Sequence, residues 1–189
     1  MFFNRVQRGF TLIELLVTLA LVAIMMGVAA PSFMAFQRNA ELSSLTNTLL
    51  AGMNAARGEA MKRGRNAFVS PVDNTKWSSG WVVYVDIDGS QSFNASDVTV
   101  LTSQALPAHI AISGTDNANA SPPYILFDAL GYSKKKNGGF GALTFTIARN
   151  DVSAGQALAE TRRLIIASTG RVRSCKPATD ASCTASAIQ

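Results

Sequence analysis

Histidine is almost missing from this chain. Of 189 residues only His109 carries an imidazole, and cysteine occurs twice, at Cys175 and Cys183. That scarcity excludes most metal centres built from imidazole and thiolate, and it confines histidine base chemistry to one apolar segment. His109 is read there as a structural or partly exposed side chain. No Ser/His/Asp constellation and no phosphate-cradling Gly-rich loop occurs. Charge is sparse as well: 17 basic and 12 acidic residues give a net +5, too little to imply nucleic acid by itself. No repeat is present, which excludes a solenoid. These absences leave a structural or binding protein as the expectation, not an enzyme, with no cofactor, no resident metal and no small-molecule substrate.

What the chain has in quantity is apolar residues concentrated at its start. A short basic leader, residues 1–9, carries Arg5 and Arg8 and ends in Gly9; from Phe10 to Ala30 the residues are apolar apart from Thr11, Glu14 and Thr18. Those 21 residues would make a helix about 32 Å long, enough to cross a bilayer core. Arg5 and Arg8 ahead of the span predict a cytoplasmic N-terminus. A carboxylate inside such a segment is costly, so Glu14 needs a partner or a role. A secretory signal would need a small-residue cleavage site after its apolar core, and Ala29-Ala30 is followed by Pro31. A plain single-span anchor leaves Gly9 and Glu14 without purpose.

Arg8-Gly9-Phe10-Thr11-Leu12-Ile13-Glu14 resembles the prepilin signature of type IV pilins and type II secretion pseudopilins. The resemblance implies cleavage by prepilin peptidase between Gly9 and Phe10, N-methylation of Phe10, and a filament role for Glu14 opposite the first-residue amine of a neighbouring subunit. Cleavage would free an α-amine whose ordinary pKa is near 8, largely cationic at neutral pH. Removing Arg5 and Arg8 with the leader lowers the side-chain balance from +5 to +3. The implied place is the bacterial inner membrane, with the rest of the chain in the periplasm.

Beyond Pro31, which cannot donate to the Gly27 carbonyl and is expected to kink the helix, Leu42, Leu45, Leu49, Met53, Ala56 and Ala60 recur at helical steps. Gly64 is the expected stop. After it the pattern turns to short strands at 67–70, 81–86, 98–103, 109–113, 124–128, 142–149 and 163–168, parted by Gly, Pro, Asn and Ser clusters. Segments 114–123 and 133–141 are read as surface connections, Lys134–Lys136 included. The expected fold is α+β and pilin-like: a long kinked N-terminal helix, with a membrane-spanning half (10–30) and an amphipathic half (31–64), packed on an antiparallel β-rich head (65–189). Cys175 and Cys183 have only Asp180 as an acid between them. That makes a poor zinc site and, in an oxidising compartment, a disulfide instead, worth about 2–3 kcal/mol.

Trp77-Ser78-Ser79-Gly80-Trp81 running into Val82-Val83-Tyr84-Val85-Asp86, and Gly170-Arg171-Val172-Arg173 ahead of Cys175, are similar to the GspH/FimT family of minor pseudopilins and pilins. Trp77 and Trp81 are assigned to packing. The resemblance implies other minor and major pilins or pseudopilins as partners, in a type IV pilus or a type II secretion system, and the C-terminal cysteine pair favours the pilus. DNA is the further candidate partner, through Arg171, Arg173 and Lys176. Asp86-Ile87-Asp88-Gly89 with Asp97 departs from the calcium-loop pattern, with Gly fourth rather than sixth and Asp rather than Glu twelfth. A tight turn is the reading taken for it.

Overall fold

The computed structural model describes residues 9–186, and residues 1–8 of the expected leader lie outside that range. The chain divides into two compact units, Met1–Ala40 and Glu41–Gln189. Helix α1, Leu12–Arg63, is assigned as one element through both. In the first unit it exposes its apolar side chains, Leu12, Ile13, Leu15, Leu16 and Leu19 among them. Among the described residues no single helix is long and apolar enough to cross a membrane. Leu12–Gly27 and Ser32–Arg63, with a bend between them, pass that test only together.

In the second unit the helical period places Leu42, Leu49, Met53, Ala56 and Ala60 in the core. Thr46 takes the buried position between Leu42 and Leu49, where Leu45 was expected; Leu45 is half-buried beside it. The Thr46 hydroxyl donates to the Leu42 carbonyl at 2.7 Å, which satisfies it without help from another element. Gly64, at φ +63°, ends the helix, and the Arg65 N–H closes on the Ala60 carbonyl at 3.2 Å, the left-handed cap that glycine permits.

Two antiparallel sheets complete the head. One has the order β3-β2-β1-β5-β6, from β1 (Ala67–Pro71), β2 (Trp81–Val85), β3 (Val98–Thr102), β5 (Ile125–Phe127) and β6 (Ser133–Lys134). The other has the order β4-β7-β8-β9, from β4 (Ile110–Gly114), β7 (Leu143–Arg149), β8 (Thr161–Ile166) and β9 (Val172–Cys175). The expected strands are all present with ends shifted by a residue or two. Segment 133–141, expected as a connection, instead holds β6 and a bridge from Lys134 to Phe140, and β9 was not expected. β1 and β2 are buried on both faces. Val69, Trp81, Val83 and Val85 join the main core, while Phe68, Val82 and Tyr84 form a second cluster with Tyr124 and Leu126. Phe93, from the β2–β3 loop, leans on Tyr84 at 5.0 Å. Two-sided burial is why these strands read as continuous apolar runs.

Candidate functional site

At the N-terminus of the described chain Gly9 and Phe10 precede the helix. Phe10 is exposed, and among the described residues nothing approaches the position a Gly9 side chain would take. Thr11 is the residue ahead of α1. Its N–H donates to Glu14 Oε2 at 3.0 Å and its hydroxyl to the same oxygen at 2.8 Å, while the Glu14 N–H reaches Thr11 Oγ1 at 3.3 Å. This is a capping box: Thr at the cap and Glu three residues on satisfy each other's backbone donors. The Thr-x-x-Glu spacing that makes the box is itself a sequence signal, and it adds Thr11 to Glu14 as a functional residue of this end. Among the described residues no cation meets this carboxylate.

On the head, Cys175 and Cys183 form the expected disulfide. The loop it closes is gripped from the sheet: Arg173 donates to Asp180 Oδ2 at 3.2 Å and to Ser182, and Arg163 to the Cys183 carbonyl. Hydrogen bonds from the Ser182 hydroxyl and N–H, then Arg173, hold the Asp180 carboxyl below its ordinary range. Arg173 is thus engaged within its own domain. Arg171 is exposed and Lys176 half-buried.

The loop after β2 brings carboxylate oxygens of Asp86, Asp88 and Asp97 within 4.8 Å of one another. Each is already an acceptor of the turn: Asp86 from the Gly89 and Gln91 N–H groups, Asp88 from Ser90, Asp97 from Ile87 and Asn94. Burial, ahead of any charge, pushes the Asp86 carboxyl up. This accounts for all three acids as turn ligands. The expected result is the same Tm for the full chain in EDTA and in millimolar calcium, checked by scanning fluorimetry; a rise of several degrees with calcium would give the loop to a cation.

One polar cluster had no sequence signal. Glu41 accepts from Arg149, and its Oε1 lies 2.8 Å from His109 Nε2. Arg149 also binds Asp151 at 2.7 Å. The single histidine therefore sits on a carboxylate of α1. Partial burial works to raise the Glu41 pKa, but hydrogen bonds from His109 and Arg149 outweigh it and hold it low. A depressed carboxyl stabilises the fold above its unfolded pKa, about 4.3, and that contribution disappears as pH falls through the folded value. The Tm of the parent should exceed that of Glu41→Gln at pH 7, and the gap should close below about pH 4, as melts across pH 3–8 would show.

A helix capped at an exposed Gly-Phe junction, carrying an exposed apolar surface and entering a two-sheet antiparallel head, is the architecture of a pilin-type subunit. The chain belongs to the GspH family. The family model described as type II transport protein GspH matches residues 45–170, and the prokaryotic N-terminal methylation motif, which marks prepilin peptidase substrates, matches residues 4–30. It is thereby a minor pilin or pseudopilin of the type IV pilus and type II secretion families. Relatives include pilin-like protein PilA1 of Thermus thermophilus, 27% identical over 169 residues, covering 88% of this chain and 97% of that one. Prepilin peptidase-dependent protein D of Escherichia coli is 29% identical over 124 residues, 60% of this chain and 77% of that one. The crystal structure of the type IV minor pilin FimU of Pseudomonas aeruginosa shares the fold, with TM-score 0.55 and 21% identity over 73% of this chain and 90% of that one.

Proposed function

We propose that this chain is a minor pilin, a structural subunit rather than an enzyme, that enters a type IV pilus at low copy number in its priming or tip complex. It is stored in the inner membrane by residues 10–30, with the head in the periplasm and the bend of its helix assigned to Pro31. Prepilin peptidase cuts after Gly9 and methylates Phe10. Motility, adhesion or DNA uptake are the outputs of such a filament. The observation that carries the reading is the junction itself: an exposed Phe10 after Gly9, beside a capped Glu14 that meets no cation among the described residues. Cutting there removes Arg5 and Arg8 with the leader and generates an amine four residues from that carboxylate. Mass spectrometry of the protein extracted from native membranes should find Phe10, methylated, as the first residue; a product beginning at Met1 would overturn the reading.

The GspH description favours a second reading, a pseudopilin of a type II secretion system; the disulfide loop supports the pilus. Deleting the gene separates them, since one predicts loss of surface pili and the other loss of exported enzymes. DNA capture through Arg171, Arg173 and Lys176 is a narrower form of the pilus reading. It would require Arg173 to exchange Asp180 and Ser182 for phosphates.

A further inference from the structure

Among the described residues strand β4 is a free edge: in the order β4-β7-β8-β9 it has one neighbour. The ladder with β7 decides which of its backbone groups are left over. The Asn150 N–H donates to the His109 carbonyl and the Thr115 N–H to that of Thr144. Both pairs continue the register that sets Ile110 opposite Arg149 and Gly114 opposite Phe145. Bonded and non-bonded positions alternate in an antiparallel pair, so Ala111 and Ser113 bond to β7, and Ile112 and Gly114 turn their N–H and C=O groups away from it. Among the described residues no backbone group meets these from the outer side. Free edges are commonly guarded by charged side chains, proline or a covering element. The exposed side chains of β4 are Ala111 and Ser113, which offer no such guard.

Alongside lies a cavity of about 410 Å³, bounded by β4, by Thr75–Ser78 and by Ala118–Ala120. Its indole, Trp77, is fixed: Nε1 donates to the Ala118 carbonyl at 2.9 Å, and the ring stands edge-on to Phe145 at 4.7 Å between centroids. The walls are small, with alanine and serine leaving the main chain accessible. The one charged residue lining it is Lys76, exposed and without an ion pair among the described residues.

We propose that this edge binds an extended segment of another protein as an added strand. Ile112 and Gly114 supply main-chain hydrogen bonds, small or β-branched side chains of the segment face the cavity, and an acidic residue of the segment meets Lys76. Unpaired donors and acceptors at two-residue spacing match another extended backbone; a helix, whose main chain is already bonded, has nothing to offer them. The proposal does not rest on the filament reading, and either can fail without the other.

The test is selection of a phage-displayed library of random twelve-residue peptides against the full chain in detergent, with affinities then measured by fluorescence anisotropy. The expected winners alternate small or β-branched residues with polar ones and carry an acid. Alternate N-methylation of the winning peptide should weaken binding at least tenfold. Ile112→Pro, which deletes an outward N–H that the sheet does not use, should do the same. Because that change also trims a half-buried side chain, Lys76→Glu is the second variant; it lies on the surface and should replace the acidic preference with a basic one. Selection of helical or Pro-rich sequences would overturn the proposal. So would binding indifferent to N-methylation and to Lys76→Glu, or no binder below millimolar affinity.

Discussion

Glu14→Ala is expected to be cleaved and methylated normally yet to enter sheared filaments at least tenfold less than the parent. Two losses separate in this variant. The first is the cap: without the carboxylate the Thr11 N–H loses its acceptor, at a cost of about 1 kcal/mol to the first helical turn. The second is the charge. In the proposed filament the free amine of Phe10 would enter an apolar environment, where stranding one member of a buried ion pair costs about 3–5 kcal/mol. Tenfold corresponds to about 1.4 kcal/mol, so even a fraction of that penalty suffices. Glu14→Gln distinguishes the two, since glutamine retains the capping acceptor and lacks the charge. The Gln variant should therefore be as poorly incorporated as Ala. Recovery with Gln would assign Glu14 to the cap alone, and normal incorporation of both would remove its filament role. Immunoblots of filament and membrane fractions, with mass spectrometry of the N-terminus, read all three outcomes.

The features legible in the sequence were those with a period or a fixed spacing. The 3–4 recurrence from Leu42 to Ala60 located the helical face now in the core, and the apolar runs at 67–70 and 81–86 located the central strands. Both signals are local and repeat often enough to stand out. Strand β6 has two residues, too few to show alternation, and is defined by its pairing to β5. Strand β9 reads Val-Arg-Ser-Cys, without the β-branched density that marks its neighbours; it is a strand because β8 lies beside it. The Glu41–His109–Arg149 cluster joins positions 68 and 108 residues apart. No spacing rule reaches that far, so the lone histidine could be read only as structural and its partner could not be named. The Thr11–Glu14 box, three residues wide, was within reach.

The Gly-Arg-x-Arg turn gives the second large effect, and it lies in its glycine. Gly170 has φ +79°, and an added Cβ would stand 1.8 Å from the Gly131 carbonyl oxygen and 3.0 Å from Arg57 Nε. Three segments converge there. Arg57 of α1 donates to the Gly131 carbonyl at 2.9 Å and to that of Thr169 at 3.3 Å, and the Ser133 N–H donates to the Ser168 carbonyl at 3.1 Å, joining β6 to the turn between β8 and β9. A side chain at Gly170 must displace the β5–β6 turn and pull it from the arginine that fastens both turns to the helix. The left-handed backbone alone costs an alanine about 1–2 kcal/mol; adding the displaced contact takes the expected loss for Gly170→Ala above about 3 kcal/mol. At roughly 2–4 °C per kcal/mol for a domain of this size, the Tm should fall by about 10 °C. Gly138 supplies the control. Its φ is +86°, with nothing within 4 Å of the added Cβ, so Gly138→Ala carries the backbone cost without the collision. If Gly170→Ala melts no lower than Gly138→Ala, the crossing is not what the glycine serves. If it melts well below, the motif's glycine is retained for the meeting of helix and sheets, and its arginines need no part in that.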